Sequence, residues 1–215
     1  FKQVFKAIEL MGYDWTEGLI HIPYGLVSLD GAKLSTRGGN IIYAEDILKE
    51  AIERAMSAIM NKNPQLKDKE QVAHMVGVGA VIFHDLFNQR IKNIDFNWDE
   101  VLSFEGTSGP YVQYTYARAK SILRKADYQK KGQQIAYEKL TDDYSFKLIK
   151  QLQGYEEAVN KAAERYEPSV VAKYLIGLSA AFNKFYHECP ILKAEEAEKQ
   201  AKLYLVDVTQ GVIKE

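Results

Sequence analysis

The sequence predicts a mainly α-helical protein in which a mixed first part, with one short strand and hairpin, precedes an all-helical bundle. Three observations lead there. Apolar residues recur at spacings of three and four along most of the 215 residues, the period of a helix with one buried face. Only Leu19–Leu29 alternates in the manner of a strand. Composition also changes near residue 107: three of the 14 tyrosines lie in 1–106 and eleven beyond. The first 106 residues carry 11 basic and 15 acidic side chains, a balance of −4, and the remainder 17 and 14, a balance of +3.

Residues 1–11 read as a helix, with Phe5, Ile8 and Met11 on one face and Gly12 in the usual terminating position. The chain opens at Phe1, inside that pattern and without a methionine, which suggests a segment of something longer. In the extended stretch, Ile20, Ile22 and Tyr24 alternate with Leu19, His21 and Pro23, and the proline favours an edge strand. Asp30-Gly31 is a strong turn signal, and the polar run Lys33 to Asn40 reads as an exposed loop. Helical periodicity returns over 44–60 through Ile47, Leu48, Ala51, Ile52, Ala55 and Ile59, and breaks around Pro64. Residues 69–91 are apolar on most faces, so that helix is expected between neighbours, with Gly77 and Gly79 permitting close packing. Residues 98–105 are ambiguous. Ser108 ahead of Pro110 marks the start of a helix over 111–125. After a solvated linker at 129–134, three long helices are expected: 142–166, 168–188 opened by Pro168, and one from Lys193 to Lys214.

Several classes are excluded. A 47% apolar content is ordinary for a globular chain. The longest apolar run, Met75 to Phe83, is nine residues, whereas a membrane span needs about 20. No signal peptide opens the chain, and a single cysteine, Cys189, rules out an internal disulfide framework and fits a reducing, cytoplasmic setting. A pI near 6.5 excludes bulk coating of nucleic acid but leaves room for a local basic face.

The most informative chemistry lies in Lys33-Leu34-Ser35-Thr36-Arg37-Gly38-Gly39-Asn40. Two cations, two hydroxyls and a Gly-Gly pair between a hairpin and a helix form an inventory suited to a phosphate chain, although a polar loop with two cations is also an ordinary hairpin connection. The five residues 33–37 resemble the KMSKS signature of class I aminoacyl-tRNA synthetases, in the form found in arginyl-tRNA synthetases. The flanks agree: His21-Ile22-Pro23-Tyr24-Gly25 before and Gly38-Gly39-Asn40 after. A second block is similar to the catalytic-to-anticodon-domain junction of the same family. It runs through Phe96-Asn97-Trp98, Phe104-Glu105-Gly106, Gly109-Pro110-Tyr111-Val112-Gln113-Tyr114 and Ala117-Arg118.

The resemblance covers essentially the whole chain. It implies that residues 1–106 are the last part of a Rossmann-type class I catalytic domain and 107–215 a helical DALR-type anticodon-binding domain. The parent reaction makes arginyl-adenylate from arginine and ATP, with Mg²⁺ as the ATP complex, and transfers arginine to its tRNA. Lys33 is then the catalytic cation against the triphosphate as pyrophosphate leaves, and Leu34, Ser35, Thr36 and Arg37 complete the ATP-binding stretch. Thr36 stands where the general signature has its second lysine, which leaves the role of Arg37 open. No HIGH-like motif occurs, and the family's arginine-binding residues would precede Phe1, so the chain alone is expected not to aminoacylate. A cytoplasmic, monomeric parent with no membrane association is expected.

In the helical half, the tRNA contacts expected are Tyr111, Gln113, Tyr114, Arg118, Lys120 and Arg124. Six cations against one acid between Arg118 and Lys131 support a phosphate-facing surface, and tyrosines stack on loop bases; each also has an ordinary packing or solvated-face reading. No metal site is expected: His187-x-Cys189 lacks a second ligand pair, and His74 and His84 read as packing residues on an apolar helix. Two other readings are a non-catalytic tRNA-binding module and a helical scaffold for protein partners.

Overall fold

The structure, a computed structural model, describes residues 1–29, 32–33, 43–129 and 135–215, with 32 and 33 described by backbone alone. Among the described residues there are nine α-helices and one three-stranded sheet. Helix α1 (Lys2–Leu10) ends at Gly12, whose φ of +87° is the left-handed conformation that glycine adopts without strain. A short 3-10 turn, Asp14–Gly18, follows.

Of the predicted strand Leu19–Leu29, only β1 (Val27–Leu29) forms a ladder. It is also not an edge. The order is β2-β1-β3, with β2 (Ala32–Lys33) antiparallel and β3 (Ile94–Phe96) parallel to it. Pro23 therefore lies ahead of the sheet rather than within it, where its missing N–H costs no ladder bond. Leu29 pairs with Ala32 and Ser28 with Lys33, while Val27 and Leu29 pair with Ile94 and Phe96. The predicted turn at Asp30-Gly31 and the loop from Leu34 to Asn40 lie outside the described residues.

Helices α2 (Ala44–Lys62) and α3 (Lys69–Phe87) pack along each other through a seam of small residues. Ala51, Ala55 and Ala73 are buried there, and a Cβ on Gly77 would lie 2.7 Å from the Ala51 carbonyl carbon. Helix α3 also meets the later helices, as its all-round apolarity requires, but it ends at Phe87 instead of 91. The Asn88 amide donates to the His84 carbonyl, 2.8 Å away, and the chain turns into β3. Asn97 caps the one-turn α4 (Trp98–Val101), accepting from Asp99 N–H and Glu100 N–H.

Helix α5 (Gly109–Lys125) begins as expected: the Ser108 hydroxyl accepts the Tyr111 N–H, with Pro110 in the first turn. The single helix expected over 142–166 is instead two, α6 (Asp143–Gln153) and α7 (Tyr155–Arg165), hinged at Gly154. The break lets both press against α8 (Ser169–Glu188), burying Leu148 and Ala158, which one straight rod would not achieve. A 3-10 turn at Ile191–Lys193 delays the last helix, α9, to Glu196–Lys214. The main core unites α5, α6, α8 and α9 around Leu148, Leu178, Phe182, Phe185, Leu203 and Val206, all fully buried. Burial of each such side chain contributes roughly 1.5–3 kcal/mol. Among the described residues, no helix is long and apolar enough to cross a membrane.

Candidate nucleotide segment and nucleic-acid groove

The segment ending at Lys33 is held by hydrogen bonds to the connection between α3 and β3. Gly25 N–H donates to the Arg90 carbonyl (2.6 Å), Leu26 N–H to Asn93 Oδ1 (2.9 Å) and Ile94 N–H to the Leu26 carbonyl (2.9 Å). The Ser28 hydroxyl donates to Asp95 Oδ1 at 2.8 Å. A Cβ on Gly25 would sit 2.1 Å from the Lys92 carbonyl oxygen, so only glycine permits this approach. Lys33 is placed at the end of β2 by its backbone. Leu34, Ser35, Thr36 and Arg37 lie outside the described residues.

The second candidate surface runs along α5 and the end of α8. Tyr111, Tyr114 and Arg118, at helical spacing, share a groove of about 600 Å³ with Lys62, Phe104, Glu105, Asn183 and His187. Arg118 is locked from several sides. It donates through Nη1 to Asn183 Oδ1, and Asn183 Nδ2 donates to the Thr115 hydroxyl, which donates to the Tyr111 carbonyl. Its guanidinium also lies 4.8 Å from the Tyr114 ring centre and 4.9 Å from that of Tyr186. Each such cation–π contact contributes about 0.5–1 kcal/mol at an exposed site. The same face continues past Ser121, Lys125 and Leu192.

The six predicted tRNA contacts are therefore divided. Tyr111, Tyr114 and Arg118 stand together. Gln113 turns to α3, where its Nε2 donates to the Met75 carbonyl at 3.0 Å and touches the position a Gly79 Cβ would take. Lys120 and Arg124 are exposed and lie on the Gln113 side of the helix at i+7 and i+11. Lys130 and Lys131 are outside the described residues. Sequence reasoning missed Tyr186, Asn183 and Lys62, which reach the groove only through the packing of α8 and α2. It also missed β3, whose single signal was Ile94 and Phe96 alternating with Asp95 between two asparagines.

His187 is exposed, but Cys189 is buried and donates to Asp142 Oδ1 at 3.1 Å, so the two diverge. Burial first, and then the Asp142 carboxylate, pushes the thiol up to about 12. His74, expected as a packing residue, is exposed. His84 is half-buried, edge-on to Phe96, and burial lowers its pKa against the pull of Glu100 and Asp85. Among the described residues, no group of three or more His, Cys, Asp or Glu side chains is arranged to hold a metal.

Comparison with known proteins joins the two surfaces. Residues 1–98 match the family described as tRNA synthetases class I (R), catalytic domain, and residues 112–215 match the DALR anticodon binding domain. Together the two matches describe a class I aminoacyl-tRNA synthetase. The arginine–tRNA ligases of Halothermothrix orenii and Enterococcus faecalis are 47% and 50% identical over the whole chain, which covers 38% of each. The solved arginyl-tRNA synthetase of Thermus thermophilus superposes with a TM-score of 0.84 at 37% identity, over 98% of this chain and 36% of that one. Both halves of the chain thus match arginyl-tRNA synthetases. The chain spans 38% of the length of the curated relatives it matches.

Proposed function

We propose that the chain is a working segment of an arginine–tRNA ligase, supplying the cation of the ATP-phosphate stretch and the helices that receive the tRNA anticodon. The observation that carries this reading is the alignment of arginine–tRNA ligases along the entire chain, at up to 50% identity, with both halves in the same order. In the whole enzyme, ATP enters as its Mg²⁺ complex and arginine attacks the α-phosphorus to give arginyl-adenylate and pyrophosphate. Lys33 meets the triphosphate and stabilises negative charge on the departing pyrophosphate; removing such a contact costs a few kcal/mol of barrier. Leu34, Ser35, Thr36 and Arg37 line the same nucleotide, and arginine passes from the adenylate to the tRNA ribose.

The division proposed falls at 106/107, with the helices beyond it as the RNA-recognising unit. Tyr114 and Tyr186 present rings for unstacked bases beside a pre-positioned Arg118, while Lys120 and Arg124 serve phosphates from the neighbouring face. Gln113 acts through the α3–α5 joint rather than on RNA. The setting proposed is the cytoplasm, which suits a lone thiol, and the working form a monomer.

The test is binding of this chain to an arginine tRNA transcript and to the same RNA with one anticodon base changed, across a salt series. Tighter binding to the correct anticodon, persisting at about 0.15 M salt, is expected. Equal binding to both that vanishes as salt rises would overturn anticodon recognition by these helices.

A further inference from the structure

Arg90, on the turn between α3 and β3, joins three stretches of chain distant in sequence. Its Nη1 donates to the Pro23 carbonyl at 2.8 Å, its Nε to the Tyr166 carbonyl at 2.9 Å and its Nη2 to the Arg165 carbonyl at 3.4 Å. The Arg90 N–H donates to Glu167 Oε1 at 3.4 Å, and Glu167 Oε2 lies 3.9 Å from the guanidinium. The carbonyl of Arg90 in turn accepts the Gly25 N–H. One residue thus grips the backbone entering β1 with one side of its fork and the α7–α8 corner with the other.

Both ends of this grip are stiff. The corner turns on Tyr166, whose φ of +51° is a left-handed conformation that an aromatic residue adopts only at a cost. It is secured by Glu167 N–H to the Ala162 carbonyl and Tyr166 N–H to the Ala163 carbonyl, and the carbonyls left at the end of α7 carry the partial negative charge a guanidinium complements. At the other end, Gly25 lies so close to Lys92 that no side chain fits. A planar fork with three carbonyl acceptors cannot follow one end without straining its bonds to the other. Helix α8 starts three residues past Tyr166 and carries Asn183 and Tyr186 of the groove near its far end. A helix of 20 residues is a rod of roughly 30 Å.

We propose that Arg90 is a positioning residue that couples RNA held in the α5–α8 groove to the backbone of β1 and β2, and so to the placement of Lys33. The proposal rests on the tRNA-ligase reading above. Displacement of α8 on binding moves the α7–α8 corner, and Arg90 passes that movement to Pro23–Gly25 and onward to the strand pair.

Amide hydrogen exchange of the full-length synthetase, with and without its tRNA, tests this. Protection is expected along residues 111–118 and also, at a distance, over 26–29 and at 32 and 33. Arg90→Gln is expected to keep the first and lose the second, with tRNA affinity within twofold and kcat for ATP–pyrophosphate exchange in the presence of tRNA reduced at least tenfold. Arg90→Lys, which retains charge and reaches fewer carbonyls, restores part of that rate. Glu167→Gln, which leaves the carbonyl contacts, lowers it less. Groove protection in the wild type with no change over 26–29 or at 32 and 33 overturns the coupling and leaves the ligase reading standing, whatever the stability of the variants. So does an Arg90→Gln enzyme that keeps both the distant protection and the rate. Failure of the wild type to bind tRNA or to exchange pyrophosphate overturns the ligase reading itself.

Discussion

Asp142 shows how one side chain settles several local questions. Its Oδ1 accepts the Tyr144 and Ser145 N–H groups, at 3.1 and 2.8 Å, and its Oδ2 the Ser145 hydroxyl at 2.7 Å, so it caps α6 and occupies the Cys189 thiol as well. Partial burial raises its pKa, but the bonds from Ser145 and Cys189 outweigh that, and the carboxyl titrates below the ordinary aspartate range. The folded pKa lies beneath the unfolded value, so the stabilisation is complete above the unfolded value near 4 and is lost as pH falls through the folded one. Asp142→Ala is expected to cost about 1–2 kcal/mol at pH 7, the worth of a good N-cap. Urea melts of both proteins at pH 7 and pH 3 check the sign: the gap narrows at pH 3, and a gap that widens there contradicts the account.

At the scale of elements, α2 and α3 meet backbone to backbone at Gly77. A methyl at Gly77 meets Ala51 and Ile52 backbone atoms at 2.7 Å, and backbone does not swing aside as a side-chain tip would. Overpacking of this kind costs about 1–3 kcal/mol, more than the roughly 1 kcal/mol that alanine gains over glycine in a helix. Gly211 in α9 is the control, since a Cβ there meets nothing within 4 Å. Gly77→Ala is therefore expected to lower the melting temperature and Gly211→Ala to raise it. Equal shifts of one sign in thermal melts would show that helix propensity, not interhelical distance, governs both sites.

Across the whole molecule, stability is unevenly distributed. No residue of 1–29 is fully buried, whereas α8 alone buries Leu178, Phe182 and Phe185. Apolar side chains such as Leu10, Met11, Ile20 and Leu26 stay largely exposed, so α1 and the stretch before β1 are tied to the rest mainly through the bonds at Gly25, Leu26 and Arg90. Amides bonded in so thin a layer open at little cost. In this chain, those of α1 are expected to exchange at least about a hundredfold faster than those around Leu178–Phe182. Comparable rates, read by exchange mass spectrometry, would mean that the first 29 residues share the cooperative core.

What the sequence determined by itself was local chemistry and order. Ser108-Gly109-Pro110 starts α5 because a hydroxyl cap and a proline at the first turn satisfy and spare the free N–H groups of any helix, whatever surrounds it. The resemblance carried by Lys33–Arg37 and by the Gly109–Tyr114 block depends on residue identity and order alone, and the relatives agree with it. The tertiary structure decided what no window of residues contains. It split 142–166 at Gly154 because two faces, not one, had to reach α8, and it made β1 central because a three-residue strand 65 positions downstream pairs with it. It separated Gln113 from Tyr114 by assigning one to a helix joint and the other to a groove, and it brought Tyr186 to Arg118 across 68 residues. Pairing, packing and cation–π contacts act over a few ångströms in space, and only the folded chain sets which distant residues come within that range.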